Sequence, residues 1–372
     1  MKIVSVRPSS RSAFARGALF GGLLLVASAC KDSQITNQVT NQIGDIVCDL
    51  DNDLLVASLA PNAIPAITGP VMVDPDDISV DYMLDQDRVL GVVINGEARA
   101  YPHNVLWHHE IVNDQIGETR VSVSFCPLTG SGLAFSPDLD GQTLDLGVSG
   151  LLFANNLVLY DRLTEEVYGP QLSVVGTCQG FRGRSLELMP VQEMSWGRWK
   201  ELHPDTKVVT GDLGYARNYR SYPYGSYDSS ANTDLLFDMD VDRTRPIKER
   251  VLAIRSGEAG RGYPYGELLA LGNTAVVNEV VSGIPTVVFF EADFGQSALA
   301  FDARVNGQIL TFEADLSGSW SDIETGSTWQ LNGLATGGPL TGQRLRVRED
   351  AYTLFWFAWR HFQPSGKMFS AP

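Results

Sequence analysis

The chain is short of cations, short of cysteine, and has no long apolar run after its first thirty residues. Lys and Arg number 28 against 44 Asp and Glu, so the surface repels phosphate backbones and general nucleic-acid binding is excluded. Without a stretch of about 20 apolar residues in the body, no membrane-spanning helix is predicted there. No phosphate loop, GxGxxG or GxSxG occurs, so nucleotide-binding and α/β-hydrolase readings have no support. Charged residues are only 19% and apolar ones 44% of 372 residues, too apolar a balance for a disordered protein. That length suits two domains or one large β-rich domain.

What is present begins with an address. Lys2, Arg7, Arg11 and Arg16 precede a short apolar core at 19–26, followed by Ala27-Ser28-Ala29-Cys30. This is the layout of a secretory signal over 1–29. A Cys directly after small residues resembles the lipobox of bacterial lipoproteins, with Ala27 where Leu is commoner. Cleavage before Cys30 and lipidation of its thiol are expected, giving a lipid-anchored envelope protein. Lys31, rather than Asp, follows the Cys, which favours the outer membrane if the host is diderm. Removing the leader takes away four cations and no anions, so the formal charge moves from −16 to −20. Residues 30–59 read as a polar tether.

The body reads as a duplication. Trp196, Trp199, Pro204 and Lys207 recur 160 residues later as Trp356, Trp359, Pro364 and Lys367. Arg88-Val89-Leu90 recurs as Arg250-Val251-Leu252, and Tyr101-Pro102 as Tyr263-Pro264. Asn113, Asp161 and Thr164 match Asn278, Asp322 and Thr325 in the same order. The prediction is a mainly β (α+β) fold of two homologous β-rich repeats about an approximate two-fold axis. A first unit at 60–212 and a second at 248–372 flank a connecting segment, 213–247, rich in Tyr, Asp, Ser and Arg. Val-rich runs at 88–94 and 119–125 predict strands, and Asn95-Gly96 and Asp140-Gly141 predict tight hairpin turns. Helices are predicted over 102–113, opening on Pro, and 191–203, closing before Pro204; a strand over 106–112 is the alternative to part of the first.

A duplicated chain supplies its own comparison. The first unit carries His103, His108, His109 and Glu110 where the second has Tyr265, Asn273, Thr274 and Ala275. Cys126 is matched by Glu291 and His203 by Gln363. Cys126 ends a Val-rich strand before Pro127 and a Gly/Ser turn, where backbone N–H groups lower a thiol pKa. With Cys30 lipidated, Cys48, Cys126 and Cys178 remain, an odd number for an exported protein. Cys126–Cys178 and Cys48–Cys178 are both open pairings. The leading expectation is thiol-dependent redox chemistry at Cys126, with His109 as base or hydrogen-bond partner and Glu110 beside it in a partly exposed cleft. A copper or zinc site built from His103, His109, Cys126 and His203 is the second. The third is non-catalytic: a lipoprotein whose Tyr-rich segment 215–227 contacts glycan or peptide, and which needs no cofactor.

Several separated motifs resemble one family, DUF3179. They are Val89-Leu90-Gly91 through Tyr101-Pro102, His109-Glu110-Ile111-Val112-Asn113-Asp114, Phe125-Cys126-Pro127-Leu128, His203-Pro204-Asp205-Thr206-Lys207-Val208 and Lys248-Glu249-Arg250-Val251-Leu252. The resemblance covers about 60–370. It implies exported or lipid-anchored bacterial or archaeal proteins without an established activity. Many members carry a second Cys two residues after the Pro, and some are selenoproteins, which implies redox chemistry. Here Thr129 occupies that second position, so a local dithiol mechanism is not available.

Overall fold

The computed structural model describes residues 46–257, 260–315 and 318–372. The leader, Cys30 and most of the tether therefore lie outside the described residues. The fold is mainly β. Its helices among the described residues are four, each of seven residues: α1 (His103–His109), α2 (Trp196–Leu202), α3 (Tyr265–Leu271) and α4 (Trp356–Phe362).

Two sheets organise the first half. One runs in the order Gln192–Ser195, Arg88–Ile94, Glu97–Pro102, Lys207–Val209, Met72–Val73. The other runs Leu188–Met189, Ser131–Phe135, Thr119–Cys126, Ile111–Ile116, Ile67–Thr68. The second half has sheets ordered Ala351–Phe355, Arg250–Ile254, Arg261–Pro264, Lys367–Met368 and Thr274–Val281, Ile284–Glu291, Ser297–Asp302, Arg346–Val347. In each half the strand after the Trp-x-x-Trp helix joins in parallel, Lys207 opposite Arg99 and Lys367 opposite Arg261.

Local chemistry sets the boundaries. Asn95 and Gly96 take φ of +52° and +86°, the left-handed pair a two-residue hairpin needs. Pro102 precedes α1, where its missing N–H costs nothing. The helix is shorter than the predicted 102–113. Glu110 turns left-handed at φ +57° and its N–H closes on Leu106 O at 2.8 Å, after which Ile111 and Val112 pair with Ser124 and Val123. The predicted helix over 191–203 is likewise a strand, Gln192–Ser195, followed by α2. Ser195 caps that helix, its side chain accepting from Arg198 N at 3.3 Å.

Trp199 and Trp359 are fully buried. Each lies on a cross-strand pair containing one glycine, Gly91 opposite Ala100 and Gly262 opposite Ala253. A Cβ on Gly91 would come within 2.0 Å of the Trp199 ring, and one on Gly262 within 2.8 Å of Trp359. The buried apolar clusters run across the two halves. Cys126, Leu128 and Leu133 share one with Leu354, Phe355 and Trp359, and Phe355 N donates to Thr129 O at 2.8 Å. A disulfide joins Cys48 to Cys178, closing 130 residues of sequence and leaving Cys126 free.

Candidate functional site

Cys126 closes the strand Thr119–Cys126 opposite Ser131. Its thiol is 1% exposed and lies 3.7 Å from Asn155 O. Burial pushes it up to about 11, the nearby Glu110 carboxyl adds to the rise, and hydrogen bonding with Thr129 partly offsets both. The expected lowered pKa is thus reversed: the turn amides are present, but desolvation of the thiolate outweighs them. Thr129 belongs to a buried polar network. Its hydroxyl bonds Ser131 Oγ at 2.8 Å and accepts from Asn156 Nδ2 at 3.0 Å, and Ser131 donates to Gln171 Oε1 at 2.7 Å.

His109 is not the partner of Cys126. Its Nδ1 meets Pro65 O at 2.7 Å and its Nε2 meets Tyr219 Oη at 2.7 Å. A carbonyl only accepts, so Nδ1 carries the proton and Nε2 accepts from the Tyr219 hydroxyl. With both nitrogens committed and the ring fully buried, burial holds its pKa down at about 4. Glu110 does belong near the thiol. Its side chain is 5% exposed, and burial alone raises it to about 8. A neutral carboxylic acid therefore sits beside a neutral thiol at pH 7.

The metal set does not assemble. His103 packs against Phe125 at 4.0 Å between ring centroids, His203 stacks on Trp199 at 4.1 Å, and His109 faces Tyr219. Among the described residues no three His, Cys, Asp or Glu side chains converge as a metal set. Each imidazole is consumed by the packing of its own helix end.

What the structure does build is a cleft. A cavity of about 370 Å³ opens where the two halves and the connecting segment meet. Arg88, Arg250 and Glu193 line it with His103, and Trp107 and Tyr222 supply aromatic walls. Phe125 and Pro127, on either side of Cys126, are part of the lining, so the thiol lies behind the wall. Tyr222, Gly225 and Asp228 come from the connecting segment. Arg88 Nε bonds Glu193 Oε1 at 2.6 Å, and its Nη1 donates to Gly295 O and Gln296 O at 2.9 and 2.8 Å. His103 is 4% exposed, its Nε2 lies 3.8 Å from Glu193 Oε1, and burial depresses it to about 3.

Sequence reasoning singled out His103 and the Tyr-rich segment, but for metal and surface contact. It passed over Arg88, Arg250 and Glu193. The available signal was an Arg opening an apolar strand in both halves, since a buried Arg needs a stated partner.

The architecture defines a mainly β protein with an interior cleft between two sheet assemblies, a buried free thiol behind its wall and, among the described residues, no group of three metal-ligating side chains. Within that class the chain belongs to the DUF3179 family, a protein family of unknown function, whose sequence profile matches residues 61–366. No curated protein and no solved structure matches it.

Proposed function

We propose that this chain is a lipid-anchored envelope protein that binds a small ligand, or one group of a glycan or peptide, in the cleft between its halves. The observation that carries this reading is the cavity of about 370 Å³, within the range of small-molecule sites and walled by both halves and by Tyr222. Anchoring through Cys30 rests on the leader sequence alone.

We also propose that the halves are diverged copies related by an approximate two-fold axis. The same order of four strands in each pair of sheets, to which the first half adds the edge strands Met72–Val73 and Ile67–Thr68, and the parallel joins support this. So do matched side-chain contacts. Arg99 and Tyr101 both bond Asp114, as Arg261 and Tyr263 both bond Glu279. Asn113 Nδ2 donates to Leu146 O at 2.8 Å, as Asn278 Nδ2 donates to Phe312 O at 2.8 Å.

The test is ligand capture. Small molecules from a native envelope extract are offered to the full-length protein and its variants, and the retained species are weighed by mass spectrometry. Tyr222→Ala and Trp107→Ala should lose a species that Cys126→Ala keeps. Loss with Cys126→Ala, and retention by both aromatic variants, would overturn the binding reading and favour thiol chemistry. That second reading draws on one observation: Cys48 and Cys178 are joined, so Cys126 stays a thiol, with Phe125 and Pro127 beside it lining the cleft.

A further inference from the structure

Two arginines enter the cleft from equivalent strand starts, and only one has a counter-ion. Arg88 opens the strand Arg88–Ile94, in which Leu90 stands opposite Glu193. Arg250 opens Arg250–Ile254, in which Leu252 stands opposite Thr353. The register that gives Arg88 a carboxylate therefore gives Arg250 a hydroxyl, and Tyr265 rather than Arg250 lies 3.3 Å from that hydroxyl. Glu193 and Asp228 act on Arg250 only from a distance, without an ion pair to it, while Glu193 Oε1 lies 2.6 Å from Arg88 Nε. Among the described residues the Arg250 guanidinium has no hydrogen bond or ion pair. Burial and the like charge of Arg88 both act against it. Two further buried atoms at the same cleft lack partners, His103 Nε2 and Glu193 Oε2.

An uncompensated guanidinium facing a cavity is a costly arrangement unless something supplies the opposite charge. Resting on the binding reading above, we infer that the cleft takes a small organic monocarboxylate, its carboxylate seated on Arg250 and its apolar body against Trp107, Tyr222 and Phe355.

The charges on the wall limit the ligand's charge. Glu193 neutralises Arg88. Asp87 is held by Leu84 N and Asn104 Nδ2 at 2.9 and 3.1 Å, and Asp228 stands exposed at the mouth. Two guanidiniums against three carboxylates leave the wall with one net negative charge, which repels a phosphate dianion and admits a single carboxylate only directly against Arg250, the cation there with no ion pair among the described residues. A planar carboxylate also matches the two-pronged donor face of a guanidinium.

The experiment compares benzoate with benzamide, equal in shape and different in charge, on the full-length protein in detergent, by saturation-transfer NMR and calorimetry. Benzoate should bind about 30-fold more tightly than benzamide, as a charge-assisted pair exceeds a neutral contact. Arg250→Met should remove that advantage and leave benzamide unchanged. Because it deletes an unpaired cation, this variant should unfold at the same temperature or higher, so loss of binding is not loss of fold. Thr353→Glu, which places a carboxylate in the register Glu193 has, should also abolish benzoate preference. Equal binding of the two probes, or benzoate binding untouched by Arg250→Met, overturns the carboxylate inference and leaves the cleft as a neutral-ligand site. Saturation transfer to neither ring at about 10 mM overturns the binding reading with it.

Discussion

Glu110 makes a quantitative prediction about pH. Its carboxyl moves from an ordinary 4.5 to about 8 on folding, through burial. Between those values the folded protein holds a proton that the unfolded chain has lost, so stability falls as pH rises. Each pH unit costs about 1.4 kcal/mol per proton. Below pH 6.5 the fall is masked. His103, His109 and His203 are held down at about 3, 4 and 4, so the unfolded chain binds more protons there and stability rises with pH towards 6.5. From pH 6.5 to 8 the remaining histidine titration and Lys248, which burial holds down at about 8, still act in the opposite sense, and Glu110's own share of the change is a loss of about 2 kcal/mol. For 372 residues this is about 3 °C of melting temperature. Glu110→Gln keeps the shape and cannot ionise. Thermal unfolding followed by Trp fluorescence at pH 6.5, 7.0, 7.5 and 8.0 should show the wild type falling by about 3 °C relative to the variant, since the histidines and Lys248 act alike in both. A difference between wild type and variant that stays constant across the four pH values would refute the placement of a protonated Glu110 in the interior.

Three further outcomes are expected. Alkylation of Cys126 by iodoacetamide, followed by peptide mass spectrometry, should be slow at pH 8 and rise towards a midpoint near 11, because burial disfavours the thiolate; a midpoint below that of a free thiol would contradict the burial. Gly91→Ala should destabilise by about 2 kcal/mol or more, since its Cβ meets the Trp199 ring at 2.0 Å, measured by urea unfolding, whereas Gly96→Ala, with nothing within 4 Å, should lose only the smaller cost of its positive φ. Cys30→Ala should release the protein from membranes on fractionation, and unchanged attachment would end the lipid-anchor proposal.

Some of this was legible in the sequence because the controlling forces are local. Val-rich runs became the strands Arg88–Ile94 and Thr119–Cys126, and Asn95-Gly96 became the hairpin turn. Helix ends were misjudged where one residue outweighed the periodicity, namely Glu110 turning left-handed and Ser195 capping late. The orientation of His109 was not legible at all. It is fixed by Tyr219, 110 residues downstream in a segment without a regular pattern. The pairing of Cys48 with Cys178 was one of the open choices, and only the meeting of distant strands selects it.

The comparison of one half with the other also needs a physical filter. Cys126 stands opposite Ser131 at the end of its strand, and Glu291 stands opposite Ser297 at the end of the matching one. Glu291 accepts from Arg198 Nε at 3.0 and 3.1 Å. Under the Trp-x-x-Trp offset the residue matching Arg198 is Ala358, which shares a buried cluster with Cys126. An ion pair on one side thus corresponds to shared apolar burial on the other. If the halves are diverged copies, as proposed, packing alone accounts for that difference, and the lack of a Cys at Glu291 is weak evidence for chemistry. The exchange of Glu193 for Thr353 has no such compensation, because Arg250 is retained without its carboxylate. Differences that leave a charge unbalanced inside a cavity are the ones that point to a ligand, and on that criterion the proposed ligand site centres on Arg250 rather than on the thiol.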